Sequence, residues 1–112
     1  MSWLRTVPYG EAEGRLKQLY DRIKGPADNV DNIMILHSLR PHTLEGHMAI
    51  YKAVLHHSGN RVAEWFLETI GVWVSLLNGC EYCIAHHRRG LARLLADEAR
   101  AGAICAALMR ED

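Results

Sequence analysis

Cys80 and Cys83 stand directly after Asn78-Gly79, and His87 follows four residues beyond the second cysteine. Thiols three positions apart on the first turn of a helix lie close enough to form a disulfide. The unpaired N–H groups and positive dipole end of such a turn also stabilise a thiolate. His87, four residues from Cys83 and seven from Cys80, shares their face, and His86 at three from Cys83 can also reach it. This set supplies a thiolate, a resolving thiol and an imidazole that can hold or pass a proton. Glu68 lies twelve residues before Cys80, within the otherwise apolar run from Trp65 to Trp73. An unpaired buried carboxylate is costly, so Glu68 is either at the edge of that run or buried with a partner.

Helices must position these groups. Leu and Ala dominate the apolar residues and no segment alternates over a full strand length, so the expected fold class is all-α. Leu16, Leu19, Tyr20 and Ile23 recur at helical spacing, and Gly25-Pro26 ends that helix. A second, short helix is expected over Ile33 to Leu39, stopped by Pro41. A third runs from about Thr43, with Leu44, Met48, Tyr51 and Leu55 as its buried stripe and Gly59 as its stop. The fourth spans about Arg61 to Leu77 and carries Val62, Trp65, Phe66, Thr69, Ile70, Trp73 and Leu77. A fifth begins near Cys80 and runs to about Leu95, so the cysteine pair opens a helix. Asp97 caps the last, which has Ala101, Ile104 and Leu108 on one side. The expectation is one domain over 1–112, a bundle of five to six helices. If the fourth and fifth fold back about Asn78-Gly79, Glu68 approaches the cysteines.

Composition narrows the function classes. Thirteen Lys and Arg against thirteen Asp and Glu give no net charge, so nothing favours nucleic acid or an anionic membrane as partner. The longest stretch free of charge and histidine, Thr69 to Cys80, is far short of the ~20 apolar residues that span a bilayer. The start Met1-Ser2-Trp3-Leu4-Arg5 opens no secretory signal, so a cytoplasmic location is expected. Three cysteines fit poorly with a secreted disulfide framework; in a reducing compartment a C-x-x-C pair is catalytic or metal-binding.

Other readings of the pair exist. Two packed thiols are one. A zinc-binding or redox-sensing module is another, using Cys80, Cys83 and a histidine with a fourth ligand from His37, His42, His47, His56 or His57. A thioredoxin fold lacks its βαβ pattern here, and Pro8, Pro26 and Pro41 all precede the motif. Covalent haem needs histidine where Ile84 stands. Trp65 and Trp73 read as core or subunit-interface anchors, Cys105 as a small buried hydrophobe and Arg88-Arg89 as a solvated face. His56 and His57 are expected to meet the carbonyls of a helix end, and His42 and His47 to lie on the surface.

The spacing Glu68, eleven residues, Cys80, two residues, Cys83, three residues, His87 resembles the signature of the alkylhydroperoxidase D-like branch of the carboxymuconolactone decarboxylase family. Ile70, Val74-Ser75 and Asn78 to Cys83 also resemble that branch's peroxidase-related members, as more weakly do Leu19-Tyr20-Asp21 and Leu39-Arg40-Pro41. The resemblance implies an all-helical thiol peroxidase, assembled as a trimer or larger, with no metal or organic cofactor. It implies that Cys83 attacks the hydroperoxide, Cys80 resolves the sulfenic acid to a disulfide, and Glu68 and His87 relay protons. A lipoyl-linked or thioredoxin-like dithiol would then reduce the disulfide. Tyr82 stands where the best-known member has a histidine. Helix-dipole reasoning makes Cys80 the more acidic thiol, yet we expect attack by Cys83, one turn deeper and four residues from His87.

Overall fold

The computed structural model describes residues 2–111, and every regular element among them is helical. The helices are α1 (Gly14–Ile23), α2 (Asn32–Ile35), α3 (Pro41–Tyr51), α4 (Glu64–Leu77), α5 (Glu81–Leu95) and α6 (Glu98–Met109). The all-α expectation with six helices holds. None of these helices is long and apolar enough to cross a membrane. The chain divides into two compact units, Met1–Lys52 and Ala53–Asp112.

In the first unit Leu16, Leu19 and Tyr20 of α1 bury their side chains with Ala12, Met34 and Leu44. Tyr20 is anchored through its hydroxyl, which donates to the Val7 carbonyl at 2.9 Å, while the Val7 N–H donates to Ser38 Oγ at 2.9 Å. This second bond helps explain a correction. The helix expected from Ile33 to Leu39 is a single turn, Asn32–Ile35. Beyond it the N–H groups of His37, Ser38 and Arg40 bond three residues back, in tight turns. The chain turns there because the hydroxyl of buried Ser38 serves Val7, and because Pro41 drives Arg40 out of the helical region (φ −138, ψ 76). Pro41 itself opens α3, where its missing N–H costs nothing.

The third helix also ends earlier than the spacing predicts. After Tyr51 the backbone widens into a π turn, Lys52–His56, and Asn60 Nδ2 donates to the Val54 carbonyl at 3.0 Å. An asparagine amide reaching back to these carbonyls accounts for the stop better than Gly59 does.

In the second unit α4, α5 and α6 surround Val72, Leu91, Ala101 and Cys105, with Leu76, Ala92, Leu95, Ile104 and Leu108 packed against them. The face that α4 buries is Glu68, Val72 and Ser75. Of the apolar residues expected on this helix, Trp65, Phe66, Ile70 and Leu77 are exposed, so Trp65 is not a core anchor within the chain, and Val62 just before the helix is exposed too. Because α4 is apolar nearly all round, its periodicity marks no polar face to turn outward.

The two reversals in this unit share one design. At the end of α4 the Gly79 N–H bonds the Leu76 carbonyl and the Cys80 N–H bonds the Ser75 carbonyl at 3.1 Å, with Gly79 at φ 63. This is a Schellman turn, which needs a left-handed residue. At the end of α5 Ala96 takes that role at φ 51, with bonds from Ala96 to Arg93 and from Asp97 to Ala92.

Candidate functional site

The Schellman turn delivers Cys80 straight to the N-cap of α5. There its sulfur accepts the Cys83 N–H at 3.3 Å. Cys80 and Cys83 are free thiols, each half-buried. The Cys83 side chain, then the backbone N–H groups of Cys83 and Tyr82, hold the Cys80 pKa below the ordinary thiol value against a smaller effect of burial. The same side-chain hydrogen bond, followed by burial, pushes Cys83 up. Cys80 is therefore the more acidic thiol of the two, at the helix start where the dipole favours an anion.

Glu68 and His87 meet across the α4–α5 hairpin. The His87 Nδ1 lies 2.7 Å from Glu68 Oε2, with Glu68 buried and the His87 side chain 23% exposed. An ionised Glu68 can only accept, so Nδ1 is the donor in this contact, and in the neutral ring Nε2 is the nitrogen left to accept a proton. Glu68 is thus buried with a partner, the second of the two alternatives open to it. His87 lies four residues beyond Cys83 on α5, which puts imidazole and thiol on one side of the helix.

His86 packs edge-on to His87 at 5.9 Å between ring centroids and stacks on Tyr82 at 6.2 Å. Arg88 donates to Glu98 at 3.3 Å, and both Arg88 and Arg89 are exposed, the solvated face expected of them. Burial raises the Cys105 thiol, in keeping with an inert packed cysteine. His57 Nδ1 accepts the Gly59 N–H at 2.9 Å, and His56 Nδ1 lies 3.7 Å from Glu64 Oε2. His47 is half-buried, its ring 5.0 Å from that of His37, rather than a surface residue, whereas His42 is exposed. Among the described residues no three His, Cys, Asp or Glu side chains are grouped to hold a metal ion.

Sequence reasoning noted Ser75 only within the resemblance and gave it no role. Its carbonyl receives the Cys80 N–H, and its hydroxyl donates to the Gly71 carbonyl at 2.6 Å. The available signal was its place five residues before Cys80, where a Schellman turn ending in Asn-Gly takes its acceptor.

No protein-family model matches the chain, and no curated protein and no solved structure matches it.

Proposed function

We propose that this chain is a thiol-dependent peroxidase that reduces hydroperoxides through Cys80 and Cys83. The observation that carries this reading is the buried Glu68–His87 contact, set on the same helix hairpin as the cysteine pair. An imidazole backed by a carboxylate and left with a free Nε2 is a general base, and Cys83 needs one because its thiol is protonated. His87 takes the Cys83 proton, and the thiolate attacks the terminal peroxide oxygen. The O–O bond breaks, the alkoxide leaves with the proton returned by His87, and Cys83 becomes a sulfenic acid. The Cys80 thiolate attacks the Cys83 sulfur and expels hydroxide, which is protonated to water, leaving a disulfide. An external dithiol, lipoyl-linked or thioredoxin-like, returns the pair to thiols and is itself oxidised. No metal or organic cofactor takes part in this scheme, and the location that keeps the thiols reduced is the cytoplasm.

The reading extends to assembly. Trp65, Phe66, Ile70, Val74 and Leu77 leave α4 with five exposed large apolar side chains, the kind of surface that marks protein–protein contact. A homo-oligomer, trimer or larger, covers it. Light scattering at micromolar concentration tests this, and a monomeric mass removes it.

The decisive experiment is a thiol count before and after one equivalent of cumene hydroperoxide. Loss of two thiols with formation of one equivalent of the alcohol supports the peroxidase. Unchanged thiols overturn it, and stoichiometric zinc in protein purified without chelator favours a zinc-binding or redox-sensing module instead.

A further inference from the structure

Each member of the Glu68–His87 pair is followed three residues later by a glycine, Gly71 on α4 and Gly90 on α5. The two glycines serve the pair crosswise. A Cβ placed on Gly71 would stand 2.6 Å from His87 Nδ1 and 2.7 Å from its Cγ. A Cβ placed on Gly90 would stand 2.9 Å from both Cδ and Oε1 of Glu68. Neither neighbour is the loose end of a flexible chain. The imidazole is held at the ring atom that meets Glu68, and the carboxylate is buried at 6% exposure. Glycine in a helix interior costs ~1 kcal/mol against alanine, so two of them facing one contact need a reason.

We infer that Gly71 and Gly90 are positioning residues, each leaving the space in which the opposite helix's member of the pair sits. The pattern is reciprocal. On α4 Glu68 reaches into the gap at Gly90 while Gly71 admits His87. The spacing Glu-x-x-Gly on one helix and His-x-x-Gly on the next is therefore the sequence trace of a hydrogen bond between helices. What the glycines secure is the tautomer: with Nδ1–H committed to Glu68, Nε2 is the ring nitrogen left to exchange protons. The geometric claim stands on the contact itself, and only its catalytic consequence rests on the peroxidase reading.

The test is nitrogen-15 NMR of the His87 ring in Gly71→Ala and Gly90→Ala. Gly46→Ala serves as control, because a methyl group added to that helical glycine would meet nothing within 4 Å. In the parent protein and the control, the Nδ1–H tautomer is expected. In Gly71→Ala and Gly90→Ala the ring should pass to a mixture or to Nε2–H, and the peroxide rate should fall about tenfold or more. In a His87→Gln background Gly71→Ala should cause no further loss of rate. An unchanged tautomer in both variants, whatever their stability, overturns the inference and leaves the glycines as helix-packing residues. If Gly71→Ala fails to fold, the Gly71→Ala/His87→Ala double variant decides: recovery places the clash on the ring, and continued failure places it elsewhere and sinks the inference. Should the parent consume no peroxide, the tautomer still answers, so the two readings fail separately.

Discussion

Cys80 and Asp97 occupy the same place in successive helix reversals. Each is the N-cap reached directly from a Schellman turn, and each side chain accepts the N–H three residues on, at 3.3 Å for Cys80 and 2.9 Å for Asp97. A sulfur thus stands where the next helix uses a carboxylate. The position suits an anion, and the Cys80 pKa is lowered first by the Cys83 side chain and then by the Cys83 backbone N–H that the sulfur caps.

The equivalence predicts how Cys80 tolerates substitution. Cys80→Asp should keep the stability of the parent chain, whereas Cys80→Ala should lose about 1 kcal/mol, the usual worth of an N-cap. Urea unfolding measures both. Equal stability of the two variants would show that the sulfur caps nothing.

The proton shared within the pair predicts the pH profile of alkylation. Cys80 should be the first thiol modified by iodoacetamide near neutral pH, as read by peptide mass mapping. Cys83→Ala removes the side chain that lowers Cys80 most, so the midpoint of Cys80 alkylation should move to higher pH. Cys83→Ser keeps a hydroxyl donor and should move it less. A midpoint unmoved by Cys83→Ala contradicts the hydrogen bond as cause.

Roles within the pair separate by single substitution. Cys80→Ser should still consume about one equivalent of hydroperoxide and trap a sulfenic acid at Cys83. Cys83→Ser should consume none. The opposite pattern would assign attack to Cys80, the more acidic thiol.

Glu68→Gln and His87→Gln should each slow peroxide consumption by about a hundredfold or more while leaving the helical circular dichroism intact. Glu68→Gln keeps the size of the side chain and removes the carboxylate that fixes the His87 tautomer. Parent rates for both variants across roughly pH 6 to 8, where imidazole titrates, would dismiss the relay.

Stability should fall on mild acidification through His37. Burial, and then the neighbouring His47, hold its pKa below the ordinary histidine value, with His37 Nδ1 tied to Thr43 Oγ1 at 2.9 Å. The unfolded chain takes up the proton first, near its ordinary pKa of about 6.5. Stability is therefore complete above that pH and declines as pH falls from there towards the lower folded value. His37→Gln should flatten this part of a plot of urea midpoint against pH. A slope that persists unchanged assigns the effect to other groups.

What could be read from the chain followed from how local each signal is. Cys80, Cys83 and His87 lie within two turns of one helix, and Asp97 caps the next, so spacing alone located them. Glu68 needed the Asn78-Gly79 reversal, which its dipeptide announces, and the structure brings it to His87. The buried face of α4 was hidden because Ile70, Trp73, Val74 and Leu77 offer as much apolar surface as Val72. The length of α2 was hidden too, since the Ser38 hydroxyl serves Val7, 31 residues away in sequence. Gly71 and Gly90 could not be interpreted from their own helices, because the reason for each lies on the opposite one.

Ala96 makes, with a methyl group, the left-handed turn that Gly79 makes without one. For an alanine that conformation costs roughly 1–2 kcal/mol, a noticeable part of the ~5–15 kcal/mol that holds a typical domain folded. The turn is thus a place where the molecule stands below its attainable robustness. Ala96→Gly gives back part of that difference without touching either cysteine. In mutational terms it widens the set of changes at the buried Glu68 that the chain can survive, and makes a fitting background for dissecting the hairpin.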